Sequence, residues 1–110
     1  MTNDYEIEIY SSGDAREPFS EWLDSLKDKK IKNAVLLRIQ RLRQGNFGDH
    51  KIFDKILELR IHYGPGIRIY CSKIGPKLVL LLGGGAKGTQ DRDIKKCKDY
   101  LADYIKGENS

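Results

Sequence analysis

Apolar and polar residues alternate along three stretches of the chain, and this pattern predicts three β-strands that each bury one side. The stretches are residues 5–10, 56–63 and 67–72. The second and third are joined by Gly-Pro-Gly at 64–66, a sequence typical of a hairpin turn. A further stretch, residues 78–82, is apolar at every position and predicts a central strand that is buried on both sides.

Three other stretches carry apolar residues at helical spacing. A first helix is expected to begin near Pro18, a second to cover residues 29–44, and a third to follow Thr89. Asp28 suits the N-cap of the second helix, and Gly45 suits the position just beyond its end. The apolar stripes, all expected in the core, are Phe19, Trp22, Leu23 and Leu26; Ile31, Val35, Ile39 and Leu42; and Ile94, Cys97, Leu101, Tyr104 and Ile105.

The element order β-α-α-β-β-β-α predicts an α+β fold in a single domain over residues 1–110. A helix hairpin is expected on one face of a mainly antiparallel four-stranded sheet, because two helices joined so closely run antiparallel. The strand at 78–82 is apolar on both sides, so the N-terminal strand is expected beside it, covering its open edge. The tail over residues 106–110 is expected to be flexible.

The chain is basic, with a formal net charge of +4 and a pI near 9.1, a balance that favours nucleic acid, anionic lipid or an acidic protein as partner.

The N-terminus lacks the basic and apolar regions of a signal peptide, and no stretch approaches the roughly 18 apolar residues of a membrane span. Cys71 and Cys97 lack metal-ligand spacing, so two reduced core thiols in the cytoplasm are expected. His50 and His62 are isolated, so neither a metal nor another cofactor is predicted.

The glycine-rich segment 83–88 formally matches the G-x-G-x-x-G pattern of dinucleotide-binding proteins. Such a site also needs a following strand with an acidic residue, and the remaining residues read as one helix and a tail. The segment is therefore interpreted as a flexible turn that brings Lys87 and a helix N-terminus near the polar side of the sheet, an arrangement that favours anions.

Polar residues share one side of the two hairpin strands. If the apolar sides of the two strands face the same way, the residue numbers of each opposed pair must add to an even value, because a shift by one residue would turn one strand over. A three-residue loop then places Arg60 opposite Tyr70 and, in the same register, His62 opposite Arg68, on an open face. Opposed side chains lie about 5 Å apart at Cβ, the scale of one phosphodiester, and arginine binds phosphate through two parallel hydrogen bonds. Alternatively, the arginines pair with Glu58 or are simply solvated.

Three longer segments resemble one protein family. They are LRQGNFGDHK at 42–51, ELRIHYGPGIRIY at 58–70 and LLGGGAKGTQDRDI at 81–94. In order and spacing they are similar to the HigB-like "addiction module killer" branch of the RelE/ParE toxin superfamily, and the match runs from about Trp22 to Leu101. The resemblance implies a type II toxin with a compact ribonuclease fold. Many members of that family cut messenger RNA in the ribosomal A site, and a cognate antitoxin, usually a helix-turn-helix protein, holds them inactive.

The resemblance and the chemistry of RNA cleavage together give candidate site residues. RNA supplies its own 2′-OH as nucleophile, so the protein must remove a proton, hold the groups in line and stabilise charge on the phosphorane. Arg60 and Arg68 match the family's sheet arginines and would bind the phosphate. His62 or Tyr70 would be the base, Tyr70 alternatively stacking on a base of the RNA, and Lys87 would assist the leaving oxygen. Residues expected to contact RNA or to flank the site are Lys51, Lys55, Lys73, Lys77 and Gln90, and Asp93 matches a further polar family position.

Two alternatives stay open. ParE relatives share the fold but inhibit DNA gyrase by binding, without catalysis. A toxin remnant that only binds its antitoxin is the other alternative. The expected partners are thus an antitoxin, the ribosome and messenger RNA, and no membrane.

Overall fold

A computed structural model of the protein describes residues 4–108. The elements follow the order β-α-α-β-β-β-β-α. The strands are β1 (Glu6–Ile9), β2 (His50–Phe53), β3 (Ile56–Ile61), β4 (Ile67–Ile74) and β5 (Leu78–Ala86), and the helices are α1 (Pro18–Ser25), α2 (Lys29–Arg43) and α3 (Gln90–Glu108). The helix α3 continues through residues 106–108, which the sequence assigned to a flexible tail, and residues 109–110 lie outside the described part of the chain.

The strands form one mixed sheet in the order β1-β5-β4-β3-β2. β1 pairs with β5 in parallel, and the other pairs are antiparallel. The prediction that the N-terminal strand covers the edge of the central strand is confirmed. The prediction of a mainly antiparallel four-stranded sheet is wrong, because β2 adds a fifth strand. The sequence did not predict β2, because its four residues include no buried side chain and show no alternating pattern. Pairing with β3 makes this segment a strand.

α1 and α2 cover one face of the sheet. The Asp28 side chain accepts the N–H of Lys30 at 2.8 Å and caps α2, and Gly45 follows α2 with a φ of 86°, both as predicted. Trp22 and Ile39 pack against the core on this face, as predicted, but their side chains are half-buried and not fully buried. This core comprises Phe19, Val35, Leu42, Leu57, Leu59, Ile67, Ile69, Cys71, Val79 and Leu81.

α3 covers much of the opposite face, which was predicted to be open and polar. Its stripe meets the other side of β3, β4 and β5, and polar residues of this face keep contact with solvent near the start of α3 and on the outer strands β1 and β2. The core on this face comprises Tyr10, Ile56, Tyr70, Leu80, Leu82, Ile94, Cys97 and Leu101. The sheet is therefore buried on both sides, with separate apolar clusters above and below it.

The glycines at 83–85 lie inside β5 and not in a flexible turn, which corrects the interpretation from sequence. Each allows a side chain to pack directly on the strand. A Cβ at Gly84 would overlap the Trp22 indole, and a Cβ at Gly85 would overlap the Asp93 carboxylate. The glycine run thus brings both helical layers close to β5, and the start of α3 close to β4.

Candidate functional site

Arg60 and Arg68 are directly opposed across β3 and β4. They share the face that carries α3, at the end of the sheet where α3 begins. The predicted register is wrong by two residues, because Tyr70 lies opposite Glu58 and Arg60 lies opposite Arg68. The connection covers residues 62–66, so it is longer than the three-residue loop assumed from the sequence. The opposed numbers still add to an even value, and both arginines therefore stay on one side.

Arg68 and Lys87 meet at Gly66, in the loop between β3 and β4. Arg68 Nη1 donates to the Gly66 carbonyl at 3.0 Å, and the Lys87 backbone N–H donates to the same oxygen at 3.0 Å. Gly66 has a φ of 82°, and a Cβ there would lie 2.9 Å from Arg68 Nη1. Both the backbone conformation and the available space therefore favour glycine. The Lys87 side chain is exposed beside the arginine pair.

Arg60 lies beside a buried acid. Its Nε is 3.5 Å from Oε1 of Glu58, a residue that is 2% exposed, whereas about a quarter (26%) of the Arg60 side chain faces solvent. Within residues 4–108, Nε of Arg60 and Nε of Arg68 are buried and have no hydrogen-bond partner. These two atoms are shielded from solvent, so they are not available to a bound anion.

Tyr70 belongs to the core. Its side chain is fully buried, and its hydroxyl donates to Glu58 Oε2 at 3.1 Å. Burial raises the pKa of the Tyr70 hydroxyl well above its ordinary value, and the neighbouring Glu58 carboxyl raises it further. The ring has no exposed face on which a base can stack, and this geometry does not support the predicted catalytic role. Glu58 itself was considered only as a surface partner, and its burial was missed.

His62 lies at the outer edge of this region, paired with Asp49 just before β2. His62 Nε2 is 2.6 Å from Asp49 Oδ2, and both side chains are exposed. This hydrogen bond holds the pKa of the Asp49 carboxyl below its usual range. Sequence reasoning identified His62 but missed its partner, because a contact across thirteen positions has no local signature.

Arg38 of α2 was also missed, although one signal was available. It occupies a position of the apolar stripe, three residues after Val35 and four before Leu42, where a charge needs a specific partner. Nη1 donates to the carbonyl of Arg60 at 2.5 Å, and Nη2 donates to the carbonyl of Asp49 at 2.7 Å. Arg38 therefore ties the helix layer to the segment that carries the site.

Two of the lysines predicted to flank the site lie elsewhere. Lys73 Nζ is 5.4 Å from the centre of the Tyr5 ring and 5.5 Å from that of Phe47, and Lys77 Nζ is 5.6 Å from that of Tyr5. These contacts are on the face covered by α1 and α2. Lys73 is five residues beyond Arg68 on β4, which is about 17 Å along a strand. The two lysines are consequently at the other end of the sheet from the arginine pair.

The remaining predicted contact residues lie in three different parts of the structure. Lys55 lies in the β2–β3 turn, at the end of the sheet away from the arginines, where its carbonyl accepts from Ser72 Oγ at 2.7 Å. Lys51 is exposed on the edge strand β2, opposite Glu58. Gln90 opens α3, and its Oε1 accepts the N–H of Gly88 at 3.0 Å. Of this set, Gln90 lies three residues after Lys87, at the start of α3.

The cluster formed by Arg60, Arg68, Lys87 and the His62–Asp49 pair, here called the arginine-pair site, has the chemistry of a phosphate-binding surface. It gathers three cationic side chains with an imidazole, and arginine forms charge-assisted hydrogen bonds to phosphate oxygens. Residues 4–108 contain no group of three or more His, Cys, Asp or Glu side chains arranged to hold a metal ion. None of the helices in that part of the chain has the length and apolar character needed to cross a membrane.

Comparison with known proteins identifies a relative without an assigned activity. An uncharacterized protein of Haemophilus influenzae (strain ATCC 51907 / DSM 11121 / KW20 / Rd) is 49% identical over 81 residues, covering 73% of this chain and 82% of the relative. No protein-family model matches the chain. Because the relative's description names no substrate or partner, the chemistry has to be argued from the residues of the site.

Proposed function

This chain belongs to the same protein family as its Haemophilus influenzae relative, and we propose that it is the toxin of a type II toxin–antitoxin system that cleaves messenger RNA on the ribosome. The observation that carries the proposal is the directly opposed pair of Arg60 and Arg68, with Lys87 beside it. The resemblance of segments 42–51, 58–70 and 81–94 to HigB-like toxins supports it independently of the geometry.

The proposed reaction uses the 2′-OH of RNA as nucleophile, and the protein mainly stabilises charge. Opposed residues in an antiparallel pair have Cβ atoms about 5 Å apart, so two guanidinium groups can share one phosphate. Fixed donors directed at the charge of a transition state contribute about 3–4 kcal/mol each in comparable sites. Lys87 stands beside this pair and would stabilise the leaving oxygen. The products would be a 2′,3′-cyclic phosphate and a 5′-hydroxyl.

The proposal includes partners and a compartment. The substrate would be messenger RNA bound to the ribosome, which implies that the protein acts in the cytoplasm. A helix-turn-helix antitoxin would hold the toxin inactive. A protein of net charge +4 favours association with an acidic segment. The three cationic side chains of the arginine-pair site would contact such a segment, which would then compete with RNA.

The test is cleavage of a translated message, mapped by primer extension with and without ribosomes. Arg68→Ala should lower the cleavage rate about 100-fold or more and relieve growth arrest, while the protein stays folded. Arg41→Ala is the matched control, because Arg41 is exposed on α2 across the sheet and its loss removes the same charge. Co-expression of the antitoxin should protect the message from the wild-type protein.

One observation favours a second candidate function. Tyr70 is buried, so the site has fewer exposed proton-transfer groups than the sequence predicted, which suits a toxin that inhibits gyrase by binding alone. If translated messages stay intact while the wild-type protein arrests growth and gyrase stalls on DNA, this candidate replaces the ribonuclease. If Arg41→Ala and Arg68→Ala lower cleavage equally, general charge and not the arginine pair governs RNA binding.

A further inference from the structure

The His62–Asp49 pair fixes which nitrogen of the imidazole is available. The hydrogen bond joins His62 Nε2 to Asp49 Oδ2 at 2.6 Å. A carboxylate only accepts hydrogen bonds, so the proton in this bond belongs to Nε2. In the neutral ring the lone pair is then on Nδ1, on the opposite side of the imidazole from the carboxylate. Asp49 thus selects the tautomer that can accept a proton at Nδ1.

The Asp49 backbone is held from two directions. Its carbonyl accepts the N–H of Arg60 at 3.0 Å and Nη2 of Arg38 at 2.7 Å. Arg38 also donates to the carbonyl of Arg60 at 2.5 Å and to that of Phe47 at 2.8 Å. The carboxylate that orients His62 is therefore attached to a fixed point of the fold, although the imidazole itself is exposed.

The imidazole lies next to the proposed phosphate-binding residues. His62 is the first residue after β3 and lies two positions beyond Arg60, so its Cα is at most about 7 Å from that of Arg60. The Asp49 carbonyl contacts the backbone of Arg60 itself, so one residue links the imidazole to the arginine pair. A base at this position can reach a ribose whose phosphate is bound by the arginines.

We infer that His62 is the general base of the proposed cleavage and that Asp49 is its positioning residue, an inference that rests on the proposed function. His62 Nδ1 accepts the proton of the 2′-OH as the 2′-oxygen forms a bond to phosphorus. The bond between phosphorus and the 5′-oxygen then breaks, and the 5′-oxygen takes a proton from water. His62 afterwards releases its extra proton to solvent, so atoms and charge balance over the cycle.

The test compares two exposed carboxylates in ion pairs. Asp49→Asn keeps the size of the side chain but removes its charge, and Asp54→Asn is the matched control, because Asp54 pairs with Lys98 at 2.8 Å away from the arginine pair. We expect Asp49→Asn to lower kcat about 10-fold or more with little change in KM, and Asp54→Asn to leave both unchanged. His62→Ala should lower kcat about 100-fold, and added imidazole should restore part of it.

A spectroscopic readout separates positioning from a structural role. Nitrogen-15 NMR of the His62 ring should report a proton on Nε2 in the wild-type protein and a mixture of tautomers in Asp49→Asn, while Asp49→Glu should retain part of the wild-type signal. Wild-type kcat in His62→Ala, or equal kcat in the two aspartate variants, would overturn the inference and leave the Arg68→Ala result, and so the proposed function, intact. Wild-type protein that leaves translated RNA intact overturns both.

Discussion

Replacing Tyr70 by Phe tests whether this residue stabilises the fold or takes part in chemistry. The ring is fully buried, and its hydroxyl donates to Oε2 of Glu58, itself 2% exposed. Phe fills the same ring volume, so the change removes one hydroxyl and little else. What remains is a buried carboxyl group whose other neighbour, Arg60 Nε, is 3.5 Å away.

The expected cost follows from that missing partner. A net hydrogen bond contributes about 1 kcal/mol, whereas leaving a buried polar group unsatisfied costs about 1–3 kcal/mol. We therefore expect Tyr70→Phe to lower the free energy of unfolding by about 2 kcal/mol. For a domain of this size, that loss lowers the midpoint of thermal unfolding by about 8 °C.

The assay is thermal and urea unfolding, combined with RNA cleavage well below the midpoint. Tyr63→Phe is the matched control, because Tyr63 is 40% exposed and its replacement should leave the midpoint unchanged. Cleavage by Tyr70→Phe should stay within about twofold of wild type. A variant with wild-type stability and no cleavage would refute the reasoning, since it would make the hydroxyl catalytic and the buried hydrogen bond unimportant.

Two further predictions concern packing and thiol reactivity. Gly84→Ala places a methyl group against the Trp22 indole and should lower the free energy of unfolding by about 1–3 kcal/mol. Gly13→Ala is the control, because a Cβ added there would have no tertiary contact within 4 Å. Equal midpoints of thermal unfolding for the two variants would contradict the packing. Burial raises the pKa of the Cys71 and Cys97 thiols to about 12, so both are protonated at pH 8 and should react with a disulfide reagent only on unfolding. Rapid labelling of both thiols in the native protein would show that they are accessible.

The sequence by itself determined the features that depend on neighbours within a few positions. Alternation located β1 and the two hairpin strands, helical spacing located the stripe of α2, and the residues at its ends, Asp28 and Gly45, act within one turn. The parity argument also placed Arg60 and Arg68 on one side of the sheet. This conclusion holds although the predicted register was wrong, because a shift by two residues leaves each side chain on the same face of the sheet.

Only the tertiary structure decided which elements cover which residues. β2 has no pattern of its own and exists because β3 offers an unpaired edge. The alternation along β3 and β4 is compatible with an open polar face and equally with a face covered by a helix. The docking of α3 on this face buries Tyr70 and Glu58. No local rule connects a helix stripe to a particular half of a sheet.

The composition of the arginine-pair site was decided in the same way. Arg60 and Arg68 were predictable because two strands joined by a short loop must pair. Asp49 reaches His62, and Arg38 reaches Asp49, through contacts between segments that are distant in sequence. Such contacts depend on the path of the whole chain, since they form only after α2, β2 and β3 have packed together. The sequence therefore determined the types of residue available, and the packing of distant segments determined which of them meet.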